Sequence, residues 1–156
     1  MIRQSDGVSL SALIKPENVI YIEGKPSKEE VLRALTARMQ PQVDGVIGAK
    51  ALADRVAEVE KLNHVLESGF YIPHAKFPEL DAFHGVLALV PQGFTDPATG
   101  QVVKAALLLL SPHRPAFFQR HLNMLSLLSQ TFQPEFIDKL AGLNDGGTAA
   151  ALLASR

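Results

Sequence analysis

One imidazole in this chain stands where it could act as an unassisted nucleophile. His74 follows Gly69-Phe70-Tyr71-Ile72-Pro73, an apolar run closed by proline. An unperturbed imidazole titrates at about 6.5, so near neutral pH one ring nitrogen carries a lone pair without help from a metal or base. Pro73 fixes φ near about −65° and has no N–H, so a strand through Phe70, Tyr71 and Ile72 cannot carry its ladder normally past that point. The strand is therefore expected to end at His74, where a side chain sits in a fixed frame yet faces solvent. The plain alternative is a histidine that caps the strand or bonds a loop carbonyl.

The other candidates point to little chemistry. His64, His74 and His84 recur every ten residues, which matches no helix-face or strand-pair metal spacing, and no H-E-x-x-H occurs, so a zinc hydrolase is disfavoured. His113 lies in a proline-flanked loop and is expected to be exposed. There is no G-x-S-x-G and no glycine-rich phosphate loop. Zero cysteines exclude disulfides, iron–sulfur clusters and thiolate zinc sites. Lys plus Arg total 15 against 16 for Asp plus Glu, which gives no field to gather nucleic acid or an anionic membrane. The start, MIRQSDGVSL, has no signal-peptide core, and the longest apolar run, Ala105 to Leu110, is too short to span a bilayer. An unexported protein without membrane insertion is expected, and a cytoplasmic location fits.

The elements that must position His74 are legible in the periodicity. With 156 residues, 47% of them hydrophobic, one domain can bury a full core. Residues 1 to 10 read as loosely held. Val19-Ile20-Tyr21-Ile22 reads as a strand ended by Gly24 and Pro26. Ser27 and Glu30 form a capping-box pattern that opens a helix over 28–39, with Val31, Leu32, Leu35 and Met39 on one stripe and Pro41 as its stop. Leu52, Val56, Val59 and Leu62 predict a second amphipathic helix.

Phe77 to Asp81 reads as a surface loop, and His84 to Val90 as a central strand buried on both faces. Turn residues from Pro91 to Gly93 and from Asp96 to Gly100 separate it from a second buried strand, Val102 to Leu110, and the two suit a hairpin. Pro115 suits the first turn of a helix whose Phe118, His121, Leu122, Leu125 and Leu128 share a face, which turns His121 toward protein. A short helix from Pro134 to Leu140, a Gly146-Gly147 break and an alanine-rich tail over 145–156 complete the chain. The pattern predicts an α/β fold: a single domain with a mixed β-sheet flanked by helices on both faces.

Gly69-Phe70-Tyr71-Ile72-Pro73-His74-Ala75 resembles the "IPH" signature of enzyme IIA domains of the bacterial phosphoenolpyruvate-dependent sugar phosphotransferase system, in the fructose/mannitol-type superfamily with its galactitol-type and nitrogen-regulatory members. His121-Leu122, followed by Leu125-Ser126-Leu127-Leu128, resembles that family's "HL..L..L" segment, and the likeness runs from about Ser27 to Leu140.

The resemblance implies that His74 accepts a phosphoryl group from the phosphocarrier HPr and passes it to a IIB domain of a sugar permease, in association with that membrane complex. No metal or organic cofactor is implied. It makes His121 a second active-site histidine that hydrogen-bonds the phosphoryl oxygens. Many members carry an Arg-Glu pair upstream of the active histidine, and this chain has none. One register puts Val59-Glu60 there with a one-residue deletion, which abolishes the arginine clamp; another, resembling galactitol-type domains, puts Arg55 in that role. Arg55 is preferred, because ALADR then aligns without a gap. The rival readings are a nitrogen-type regulatory protein whose phosphorylation tunes partner affinity, and a degenerate partner-binding module without transfer.

Overall fold

The structure is a computed structural model that describes residues 9–62 and 65–155. His64, and most of the segment expected to be loosely held at the start, lie outside them. Among the described residues are a five-stranded mixed sheet and six α-helices in a single domain, as the α/β reading expected.

Chain order runs α1 (Leu10–Leu13), a 3-10 turn (Pro16–Asn18), β1 (Val19–Tyr21), α2 (Lys28–Val43), α3 (Ala49–Glu60), β2 (Phe70–Tyr71) and β3 (His74–Phe77). It continues with β4 (His84–Thr95), β5 (Val102–Pro112), α4 (Pro115–Thr131), α5 (Pro134–Ala141) and α6 (Gly146–Ala154). β4 and β5 form the expected antiparallel hairpin at the centre; β1 adds to β4 in parallel, and β2 and β3 both add to β5 in parallel.

The central strands are buried on both faces because helices cover both. On one side Val86, Ala88, Leu108 and Leu110 pack with Leu35 and Met39 of α2 and with Leu52, Val56 and Val59 of α3. On the other, Leu87, Leu89, Leu107 and Leu109 pack with Met124 and Leu128 of α4, Ile137 and Leu140 of α5, and Leu153 of α6. Phe70 stacks on Phe132 with ring centroids 4.2 Å apart, which ties β2 to the end of α4.

Several local expectations need correction. Ser27 and Glu30 do form the capping box, but Pro41 does not stop α2, which runs on to Val43. Val43 and Ile47 continue the buried stripe of Leu35 and Met39, and Gln40 Nε2 donates to the Ile47 carbonyl, so tertiary anchoring outweighs the proline's local cost in this last turn. Leu62 falls beyond α3 and is exposed. Pro91-Gln92-Gly93 is a bulge inside β4, because the register jumps between Leu89 and Phe94 while the hairpin continues. Gly93 takes φ of +76° there, and a Cβ on it would lie 2.5 Å from Val102 Cγ1.

Phe77 and Leu80, expected in a surface loop, are buried, since Phe77 ends β3 on the α2/α3 side of the core. On α4 the buried stripe is His121, Met124, Leu128 and Thr131; Phe118 and Leu122 are exposed. Leu10 is buried in α1. Gly146 and Gly147 open a helix instead of breaking one, because Asp145 caps it by accepting from Thr148 N–H and Oγ1, and α6 then buries Ala149, Ala150 and Leu153.

Candidate active site

His74 begins a strand; it does not end one. Pro73 splits a single edge path into β2 and β3, both paired to β5, and the Pro73 carbonyl still accepts from Leu109 N–H at 3.0 Å. The interruption therefore removes one donor without letting the strand leave the sheet. His74 sits opposite Leu109 in register and is half-buried, so its backbone is clamped by the sheet. Side chains alternate along a strand. Ala75 and Phe77 point to the α2/α3 side, and the His74 ring turns to the α4 side.

The ring's orientation is set by its own chain. His74 Nδ1 lies 2.7 Å from the Ile72 carbonyl oxygen. A carbonyl only accepts, so Nδ1 carries the proton and the neutral ring's lone pair is on Nε2.

α4 brings the second histidine to it. Pro115 occupies the first helical position, directly after β5, and the junction is tied to β3 by His113 N–H donating to the Phe77 carbonyl and Arg114 Nε to the Pro78 carbonyl. Two turns in, His121 is 3% exposed, and its ring centroid lies 5.5 Å from that of His74 with the planes tilted by 49°. Ser111 Oγ, fully buried at the end of β5, is 2.7 Å from His121 Nδ1. Burial, then the charge of Lys76, then His74 push the His121 pKa down to about 4, so this ring is neutral near pH 7. When the Ser111 hydroxyl donates to Nδ1, His121 presents Nε2–H as a donor.

Two members of this group escaped the sequence reading. Lys76 lies two residues after His74 on β3, and the strand's period of two puts both on one face. Its ammonium is 5.2 Å from the Phe118 ring centroid on α4, held by cation–π attraction near enough to His121 for its charge to lower that pKa. Ser111 was readable only as a hydroxyl closing an apolar strand. Arg55 is placed differently: α3 packs on the α2/α3 side of β3, and Arg55 Nη1 pairs with Glu58 at 3.6 Å on the half-exposed face of that helix.

The remaining histidines have structural settings. His113 is exposed, as expected, with its ring 5.7 Å from Phe118; His84 Nδ1 lies 3.2 Å from Gln42 Oε1. Among the described residues no three His, Asp or Glu side chains converge as a metal site would require, and no helix is long and apolar enough to cross a membrane.

An imidazole with its lone pair on Nε2 faces a buried neutral imidazole beside an ammonium, on a strand broken at Ile-Pro-His. The profile of the phosphoenolpyruvate-dependent sugar phosphotransferase system EIIA 2 family matches residues 12–155. The chain belongs to that family.

Solved structures agree on the fold of this enzyme IIA domain. It is similar to the nitrogen regulatory protein IIA-Ntr from Neisseria meningitidis, at 19% identity over 92% of this chain and 98% of that one, with a TM-score of 0.77. It is also similar to the mannitol-specific cryptic phosphotransferase enzyme IIA CmtB from Escherichia coli, at 18% identity over 96% of this chain and 100% of that one, TM-score 0.68. A third similar structure is the Escherichia coli complex of enzyme IIA-mannitol with phosphorylated enzyme IIB-mannitol, at 17% identity over 92% of this chain and 98% of that one, TM-score 0.69. No curated protein matches the sequence significantly.

Proposed function

We propose that this IIA domain is a phosphohistidine carrier: His74 Nε2 takes a phosphoryl group from an HPr-like phosphocarrier protein and passes it to a IIB component serving sugar uptake. The observation that carries the reading is the pair of facing rings, one with Nδ1 tied to the Ile72 carbonyl and the other buried and neutral. In the transfer, the Nε2 lone pair forms the new P–N bond in line as the donor's P–N bond breaks, and that electron pair returns to the donor ring. The positive charge left on the His74 ring is stabilised by its Nδ1–H bond to Ile72. His121 Nε2–H and the Lys76 ammonium compensate the charge on the transferred oxygens, and no covalent role is needed from either.

Arg55 is proposed as the arginine of the clamp, reaching the phosphoryl group around the edge strand β3, against which α3 packs. Its surface pair with Glu58 is weak enough for the guanidinium to be recruited to a phosphoryl group. Exposed Phe118 and Leu122 on α4 give partners an apolar rim beside the site, suited to the small, transient interfaces that successive donors and acceptors need. The IIB partner is supported by the similar IIA–IIB complex. A cytoplasmic location follows from such partners.

A second reading is favoured by the likeness to IIA-Ntr: a regulatory protein in which the phosphorylation of His74 changes affinity for target proteins. The experiment that separates them loads the protein with phosphate from phosphoenolpyruvate through enzyme I and HPr, then adds a purified IIB domain. Loss of the label to IIB supports transport. Retention of the label by a loaded protein supports regulation, and failure to load at all supports the degenerate module.

A further inference from the structure

A second cleft lies toward the β1 edge, where α1, the 3-10 turn, α2 and the start of β4 meet. Its volume is about 490 Å³, within the roughly 300–1,000 Å³ usual for small-molecule sites. It is distinct from the phosphoryl site: His84, which lines it, bonds to α2, whereas the His74 ring faces α4.

Three basic side chains from three separate elements border this cleft: Lys15 ahead of the 3-10 turn, Arg38 on α2 and His84 on β4. The one acidic lining residue is Glu17. Arg38 Nη1 donates to the Glu17 backbone carbonyl at 2.8 Å, which fixes the guanidinium to the wall through a neutral acceptor. Four of its five N–H donors are not used by that bond. Among the described residues neither Lys15 nor Arg38 lies within ion-pair distance of a carboxylate.

Apolar Leu13, Pro41 and Phe83 share the lining with a pair of ordered polar side chains. Gln42 Nε2 donates to the Gly85 carbonyl at 3.1 Å, which orients the amide so that Oε1 accepts from His84 Nδ1–H. The neutral His84 ring then keeps its lone pair on Nε2, an acceptor for a hydroxyl, and buried Asn18 adds both a donor and an acceptor.

We infer that this cleft binds a small hydroxylated anion, a phosphate or carboxylate on a polyol-sized body. Arg38 and Lys15 hold the anionic group, and His84 and Asn18 the hydroxyls. Burial lowers the His84 pKa while Asp81 raises it, and Glu17, Lys15 and Arg38 are the other charges at the cleft. Accepting a hydroxyl at Nε2 requires the neutral ring, the form that burial favours.

The test is titration of the ¹⁵N-labelled full chain with glucose 6-phosphate, gluconate and uncharged glucose, followed by amide and arginine Nε–H shifts. Saturable shifts at Arg38, Gln42 and Gly85 with one or both anions, and none with glucose, are expected; the two anions tell phosphate from carboxylate. Arg38→Gln and Lys15→Gln should each weaken binding about tenfold, the loss of one charge-assisted contact. Equal binding of glucose, shifts confined to His74 and His121, no saturation by either anion, or affinity unchanged in both variants would overturn the inference. His74→Ala should bind the anion unchanged and Arg38→Gln should still accept phosphate, so this site and the phosphocarrier reading fail separately.

Discussion

The rings of His74 and His121 face each other at 5.5 Å, although one belongs to an edge strand and the other to a helix that begins two strands later in the chain. The proximity is built by β5, which pairs with β3 through Leu109 and supplies Ser111 to His121 before the chain turns into α4. The consequences below follow from that arrangement.

His121 should titrate far below an ordinary histidine. Its folded pKa of about 4 lies under the unfolded value of about 6.5, so between these pH values the unfolded chain binds a proton that the native one does not. Stability therefore falls as pH drops through this window, by up to roughly 3 kcal/mol from this group. Urea melts from pH 7 to 4 check the slope; in His121→Gln, which cannot titrate, it should flatten.

Lys76→Gln should raise the His121 pKa, because the ammonium's repulsion is the second contribution to the depression after burial. The same variant should slow phosphoryl acceptance about tenfold, the scale of one lost charge contact in the transfer state. Imidazole NMR titration reads the first effect and rapid-quench labelling the second.

Ser111→Ala leaves His121 Nδ1 buried without its partner, at a cost of about 1–3 kcal/mol. It also frees the tautomer of that ring. A ¹⁵N spectrum of the imidazoles should show mixed protonation of His121 in the variant and a single tautomer in the parent.

Arg55→Gln separates the two fates of that arginine. As the clamp, it should cost about tenfold in phosphoryl acceptance, with a stability change under about 0.5 kcal/mol, since an exposed pair with Glu58 contributes little. Glu58→Gln should leave acceptance intact. Single-turnover labelling and urea melts of both variants provide the comparison.

Away from the site, Lys28 is 3.0 Å from the buried Asp96 and lies over the Tyr71 ring, tying α2 to the β4–β5 turn. Asp96→Ala should cost about 3 kcal/mol, the usual result of stranding one partner of a buried pair. Phosphoryl acceptance under conditions where the variant is folded should not change. Denaturation and labelling on the same preparation test both statements.

The local patterns that were legible were those in which one physical signal acts alone. The Ser27 and Glu30 capping box, the two-sided apolar runs of β4 and β5 and the proline at the start of α4 each have a strong local cause. Proline was misread wherever tertiary contacts could absorb it: α2 passes Pro41 because Val43 and Ile47 are buried, and β4 passes Pro91 through a bulge. The stripe on α4 was drawn from hydrophobicity, which put Phe118 and Leu122 inside. The buried set keeps His121, as its place on that face implied, and adds Met124 and Thr131; the contact of Ser111 with His121 satisfies the buried imidazole. Lys76 was hidden for a related reason, since its importance depends on which way β3 faces.

The most direct test of the central claim is to place the phosphoryl group on an atom. After incubation with phosphoenolpyruvate, enzyme I and HPr, intact mass and ³¹P–¹⁵N NMR of imidazole-labelled protein should reveal one acid-labile phosphoryl group on Nε2 of His74. It should be absent from His74→Ala and present, more slowly formed, in His121→Ala. An unmodified parent protein, or a group found on another residue, would contradict the account.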